Sequence, residues 1–375
     1  MSLIWPATDS DIVTNAPKLH ALVIAVAAYP HLNGGGGPLA LQPLGLSQVT
    51  TPRYTGLAVA DWLLTRYQNA VCQLGSVEML LSPNQPVPSP NGPVAAASAT
   101  MANIEAAFTK WKKRCSTDPG NIAWFYFCGH GVSKDAQYLL PEDYGDPAVF
   151  QWKNNIDFDG LRVGMRSCAA QTQVFFLDAC RDTPLELLTQ LNVIGNPLTD
   201  ASFSDTVDCS AAYYATTPGR QAYGPDHDVT YFGQALLACL NGVAAIKKGP
   251  KWVVDTYSLG NALGQTMEQL ARRYRLPLKC NPDPSGMGRI NEVAGPRVIA
   301  AVSCTSEVAN NAADITITRG ATALHSPPGQ PKPVVEEVEA GDWMIEVTFP
   351  GNQFESRPPV GYTFMPPVFE GVEVP

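Results

Sequence analysis

Short apolar runs separated by polar, glycine- and proline-rich stretches set the pattern of this chain. Residues 20–28, 76–81, 121–131, 173–182 and 211–216 are dense in β-branched, aromatic and other apolar side chains, as strands buried inside a sheet are. Between them, residues 55–68 (TGLAVADWLLTRYQ) repeat their apolar positions with helical spacing. Thr100 stands as the cap of a second helix running to about Cys115, whose last turn carries Lys110, Lys112, Lys113 and Arg114 against the negative end of the helix dipole. Further helices are expected at about 230–241 and 257–275. Strands alternating with helices predict an α/β domain, a mostly parallel sheet flanked by helices on both faces.

The breaks are as informative as the runs. Residues 33–52 hold four consecutive glycines and few charges and read as a flexible surface loop; no Lys-Ser/Thr follows the glycines, so a phosphate loop is not supported. Residues 82–99 are proline-rich and extended, 144–172 connect two strands, and 183–208 form a further linker. The segment NPDPSGMG (281–288) reads as the link to a second module. Beyond it, short alternating runs at 297–304, 313–320, 332–341 and 342–350 are divided by Pro/Gly turns and predict a small all-β, sandwich-like domain. The expected division is 1–288 and 289–375. The second domain has one histidine, His325, and no cluster of ligands, so it is expected to pack on the first or to recruit a partner or substrate.

Composition narrows the classes. The 375 residues are 45% hydrophobic, as in globular proteins, and carry a net charge of −9, which disfavours nucleic acid as a partner. The start of the chain lacks the basic region and long apolar core of a secretory signal, and the longest apolar run is too short for a bilayer, so no membrane association is expected. Nine cysteines at irregular spacing and without a CxxC pair argue against a disulfide framework and for a reducing, cytoplasmic setting. Cys128 and His130 are too close in sequence for the usual zinc spacing, and Cys128 is read as a core residue of its strand.

Two of the apolar runs end on reactive side chains. NIAWFYFCGHG delivers His130 between two glycines, and QVFFLDACRD delivers Cys180 just after Asp178. Ligands of open parallel sheets sit beyond the carboxyl ends of the strands, so neighbouring strands would bring His130 and Cys180 to one edge. A free thiol is mostly protonated at neutral pH, and an imidazole beside it can take that proton and return one to a leaving amine. The glycines admit a close substrate backbone, and the N–H groups of Gly131 and Cys180 are candidates for an oxyanion hole. Asp178 lies two positions before Cys180, on the same side of its strand, where its carboxylate would pair with an Arg or Lys side chain; the structural alternative is a salt bridge with Arg181.

The order of histidine before cysteine, with the segments ALVIAVAAYPHL (21–32), FYFCGHG (125–131), YLLPED (138–143), FFLDACRD (175–182), AAYYATTPGRQAYG (211–224) and YFGQALLACL (231–240), resembles the caspase-like cysteine peptidases across residues 18–285. Asp178 and Asp182 depart from the caspase pattern, which has Gln and Gly there, and make the bacterial and paracaspase branches the nearer likeness. The resemblance implies a His130–Cys180 cysteine endopeptidase with a large-subunit-like part at about 18–182, a linker at 183–208 and a small-subunit-like part at 209–288. It implies that Asp178, with Asp61 on the first helix, brackets a basic P1 side chain, Arg or possibly Lys. Tyr213, Tyr214 and Ala215 would form a strand edge where a peptide adds as an extra strand, although the same strand could equally be core.

Cleavage after Asp and a non-catalytic scaffold are the alternatives, together with a partner-gated effector in which the C-terminal module senses a ligand or protein. Between Arg181 and Arg220 there is no Lys or Arg, while Asp200, Asp205 and Asp208 lie there instead, so a basic-specific enzyme would not cut its own linker in that span. Activity without cutting, cutting at Lys153, Arg162 or Arg166, or an activating protease or regulatory protein remain open. The partners expected are protein substrates with basic cleavage sites, and relatives of this kind often act as effectors in defence or cell death. No cofactor is expected. Calcium, needed by some metacaspase relatives, would have to use Asp143, Asp146, Asp157 and Asp159, which lack EF-hand spacing and read as solvated loop carboxylates.

Overall fold

A computed structural model describes residues 2–6, 16–89, 92–188, 193–200 and 207–371. Contacts divide the chain into two compact units, Met1–Gln234 with Cys280–Ile290, and Ala235–Lys279 with Asn291–Pro375.

The first unit is built on a seven-stranded sheet. Its strands are β1 (Leu3–Trp5), β2 (Lys18–Val26), β3 (Gln73–Ser82), β4 (Ile122–Gly129), β5 (Thr172–Ala179), β6 (Cys209–Tyr214) and β7 (Asn281–Ser285), in the order β1-β3-β2-β4-β5-β6-β7. β2, β3, β4, β5 and β6 run parallel, and the two edge strands run antiparallel. Helices cover both faces, as the alternation of apolar runs predicts. On one face Trp62 of α1 (Thr51–Thr65) stacks on Trp124, and the aromatic layer continues through Phe176 to Tyr213. On the other, Ile104, Phe108 and Trp111 of α2 (Met101–Cys115) and Phe158 of α3 (Phe158–Gly164) pack with Phe125, Phe127 and Phe175. Thr100 caps α2 by accepting the Asn103 N–H, the role its position in the sequence predicts.

Two sequence expectations need correction. Residues 281–285, read as linker, are an edge strand, and its prolines explain both the reading and the outcome. Pro282 and Pro284 alternate with Asn281, Asp283 and Ser285, so the N–H groups that remain face β6, while the outer side has few donors to attract another strand. Residues 33–52, read as a flexible loop, are tied down by backbone and side-chain hydrogen bonds, among them Asn33 N–H to Leu46 O and Gln48 Nε2 to Asn33 O.

The second unit contains α4 (Thr256–Tyr274) and a small β-sandwich. One sheet pairs Arg297–Val302 with Val334–Glu339 and Val368–Glu370; the other holds Asp314–Arg319, Thr322–Ser326, Gly341–Thr348 and Arg357–Phe364. Val298, Ala300, Val302, Ile315, Ile317, Trp343, Ile345, Val347 and Phe364, drawn from both sheets, share one core. The runs at 322–326, 357–364 and 368–370 went unread because they carry few buried side chains. Among the described residues no helix is long and apolar enough to cross a membrane.

α1 lies close against β2 through Gly56, where an added Cβ would fall 2.4 Å from the Ala25 Cβ. Gly56→Val is therefore expected to lower stability by roughly 1–3 kcal/mol through overpacking, read as a lower urea midpoint; an unchanged midpoint would contradict this packing.

Candidate active site

The site begins with strand register. β4 and β5 are parallel neighbours in which Asp178 pairs with Cys128 and Ala179 with Gly129, so His130 and Cys180 are the next residues out at the same edge. Both are half-buried, and Cys180 alone among the nine cysteines is not fully buried. The two side chains named as a dyad are thus delivered together, beyond the carboxyl ends of adjacent strands.

His130 is held at three points. Its backbone N–H donates to the Tyr29 hydroxyl (2.7 Å), its ring lies 4.7 Å from the Tyr29 ring, and Nε2 is 2.6 Å from the Ser47 carbonyl oxygen. A carbonyl only accepts, so Nε2 carries the proton and Nδ1 is left as the acceptor that a general base needs. Burial lowers the His130 pKa, and the Ser47 carbonyl partly opposes this by favouring the charged ring. The Cys180 thiol is pushed up by burial; the Ala222 N–H, 3.3 Å from Sγ, opposes the shift, while Asp182 and Asp178 add to it. Both shifts favour the neutral thiol and the neutral imidazole over a thiolate–imidazolium pair.

Gly131 follows directly and lies against the Cys180 backbone: a Cβ there would sit 2.7 Å from the Cys180 carbonyl oxygen. That oxygen accepts from Gln137 Nε2 (3.0 Å), and Gln137 Oε1 accepts from Arg181 Nε (3.2 Å). The Arg181 guanidinium lies over the Tyr214 ring at 4.1 Å. Arg181 is thus engaged away from Asp178, and the alternative salt bridge does not form.

Asp178 is buried beside the site. Oδ2 accepts from Tyr126 Oη (2.9 Å) and Thr230 Oγ1 (2.5 Å), and Cys128 is a further hydrogen-bonding neighbour. Oδ1 is buried and has no hydrogen-bond partner among the described residues. Burial raises the Asp178 pKa to about 6 against the pull of those hydrogen bonds.

Two expected parts of the site are placed otherwise. Asp61 is exposed on α1; the α1 side chain that reaches this pocket is Thr55, buried and hydrogen-bonded to Thr230. The helix carries Asp61 almost two turns past Thr55 and round to the solvent side, so it does not bracket the pocket with Asp178. Tyr213, Tyr214 and Ala215 are buried, and β6 is paired on both sides, with Tyr213 opposite Pro282 and Tyr214 opposite Asn281. No free edge remains there for a peptide strand. The expected linker is described at 183–188, 193–200 and 207–208; Asn196 exchanges backbone hydrogen bonds with Asn155 and Asp157, and Lys112 Nζ reaches Thr199. Asp205 lies outside the described residues.

Asp143, Asp157 and Asp159 accept from the backbone N–H groups of Met101, Gly160 and Gln137, and Asp146 from that of Ala148. Among the described residues no group of three or more His, Cys, Asp or Glu side chains is arranged to hold a metal. Sequence reasoning missed Tyr29, Ser47, Gln137, Ala222 and Thr230. Ser47 and Ala222 act through their backbone, which leaves no side-chain signal; Tyr29 stands in the run AYP, where an aromatic reads as core.

A family model described as the caspase domain matches residues 92–276. An uncharacterized protein of Sinorhizobium fredii is 32% identical over 238 residues, 57% of this chain and 67% of that protein. A probable protease of a Desulfuromonadales bacterium is 27% identical over 199 residues, covering 51% of this chain and 23% of that protein. The crystal structure of caspase-1 from Spodoptera frugiperda aligns with a TM-score of 0.41 at 12% identity, over 75% of this chain and 93% of that one.

Because Asp178 raises the Cys180 pKa, Asp178→Asn is expected to speed alkylation of Cys180 by iodoacetamide roughly two- to tenfold at pH 7.5, read by mass spectrometry of the Cys180 peptide. In the wild-type chain the rate should keep rising to a higher pH than that of a free cysteine. An unchanged or slower variant would contradict the electrostatic role of Asp178.

Proposed function

The chain belongs to the caspase-domain family of cysteine peptidases, and on that premise we propose that it is an endopeptidase in which a His130–Cys180 dyad cleaves proteins after a basic residue. The observation that carries the dyad is the pairing of Ala179 with Gly129, which sets both residues at one sheet edge.

His130 Nδ1 takes the Cys180 proton as sulfur attacks the scissile carbonyl carbon. The oxyanion forms at the N–H groups of Gly131 and Cys180. Collapse of the tetrahedral intermediate breaks the C–N bond, and the imidazolium gives its proton to the leaving amine. Water, deprotonated by the same ring, then hydrolyses the thioester and releases the thiol.

Basic specificity is supported by the buried, unpartnered Asp178 Oδ1. An unsatisfied carboxylate oxygen there is costly, and a guanidinium or ammonium supplied by the substrate would satisfy it. A P1 aspartate would instead set like charges together in a desolvated pocket. Arginine is favoured over lysine because its planar fork can serve Oδ1 and neighbouring acceptors at once. Binding that cation also removes the negative charge that opposes the thiolate, so the right substrate activates its own nucleophile. The protonated resting thiol under the Ala222 N–H fits a protease kept quiet until called on, in line with the family expectation of a regulated effector in defence or cell death.

Fluorogenic peptides with Arg, Lys or Asp at P1 test the reading. Cleavage is expected after Arg, more slowly after Lys, and not after Asp, and should vanish in Cys180→Ala. Asp178→Asn should lower kcat/KM for the Arg peptide by roughly 10²–10³-fold. Cleavage after Asp, or activity that survives in Cys180→Ala, would contradict the proposal.

A further inference from the structure

We propose that Gln48, which lies in the glycine-rich loop and does not touch His130, is the positioning residue that sets both ends of the base. The inference rests on His130 being the catalytic imidazole. The Gln48 side-chain amide clasps the backbone of Tyr29: Oε1 accepts the Tyr29 N–H (2.8 Å) and Nε2 donates to the Tyr29 carbonyl (2.8 Å). Nε2 also reaches the Asn33 carbonyl (3.2 Å), which closes the loop onto itself. The residue just before Gln48 is Ser47, whose carbonyl holds His130 Nε2–H, and the residue it clasps is Tyr29, whose hydroxyl holds the His130 N–H. Tyr29 Oη in turn donates to the Leu140 carbonyl (3.3 Å), which orients its lone pair toward His130. One amide therefore fixes the acceptor behind the ring and the acceptor beneath its backbone.

A carbonyl in an exposed loop position such as Ser47 is a poor tautomer anchor by itself, since loop backbone moves unless something holds it. Gln48 supplies that hold with both halves of its amide. A hydroxyl could not do this, and a carboxylate could do only the accepting half. The titratable groups around the base, the Tyr29 phenol and the Cys128 and Cys180 thiols, are all pushed by burial toward their neutral forms. The loop carbonyl is then the polar contact that decides which ring nitrogen carries the proton.

Two variants of the full chain test this. Gln48→Met keeps the length and removes both halves of the amide; Gln48→Glu keeps the acceptor and removes the donors. The readout is ¹⁵N NMR of the histidine rings through a pH titration, with His130 assigned by comparison with His130→Gln. In the wild-type chain His130 is expected as the Nε2–H tautomer. In Gln48→Met its titration should move to lower pH, because the contact that favours the charged ring is loosened, and the two tautomers should mix. Gln48→Glu should fall between. In parallel, kcat should drop roughly tenfold to a hundredfold in Gln48→Met with KM within about twofold, as misorientation of a base affects the chemical step more than binding. If Gln48→Met fails to fold, Gln48→Glu decides alone. An unchanged His130 titration and tautomer in a folded variant would overturn the proposal. If the wild-type chain shows no Cys180-dependent cleavage, the dyad reading fails, and the NMR result still decides whether Gln48 positions the ring.

Discussion

The parallel register between Ile122–Gly129 and Thr172–Ala179 is the constraint on which the rest of the site depends. A slip of one residue would turn Asp178 and Cys180 to the other face of the sheet and away from the pocket of Tyr126, Thr55 and Thr230. The register is specified from both sides. Trp124 and Phe176 lock one face to α1, and Phe125 with Phe175 locks the other to α2 and α3, so neither strand can shift without exposing large aromatics. The core thus does more than stabilise; it sets two side chains opposite each other at the sheet edge.

Desolvation then sets the resting chemistry. Cys180, His130 and Asp178 are all moved toward their neutral forms by burial, and the hydrogen bonds around them only partly oppose this. A preformed thiolate–imidazolium pair is not what this arrangement favours. It sets the Cys180 sulfur beneath the Ala222 N–H, an imidazole with its proton on Nε2, and a carboxyl with an unused oxygen side by side. On the proposed reading, a cationic side chain arriving next to Asp178 would pair the unused oxygen and ease formation of the thiolate.

The fold was largely legible because buried strands announce themselves by composition and α2 by its cap and basic last turn. The placement of His130 and Cys180 at one sheet edge was legible for the same reason: each terminates such a strand, which fixes its place in a parallel sheet. Asp178 followed from the two-residue period of the strand. Asp61 was misplaced because helical phase cannot be read to within a turn without knowing which stripe packs, and Gly56 against Ala25, with Thr55 beside Thr230, sets that stripe. Tyr213 and Tyr214 were misjudged as a free edge because the strand that covers them, NPDPS, carries two prolines and reads as linker. His130 is supported by the Ser47 carbonyl, a backbone group that every sequence contains and none advertises, and by the Tyr29 side chain, which reads as core.

Covalent capture tests the central claim most directly. The wild-type chain would be treated with a peptidyl-arginyl chloromethyl ketone and, separately, with its aspartyl counterpart, and the adduct located by peptide mapping. The account predicts a single adduct on Cys180 from the arginyl reagent, formed far more slowly when His130 is replaced by alanine, and little from the aspartyl one. An adduct on another cysteine, or preference for the aspartyl reagent, would contradict it.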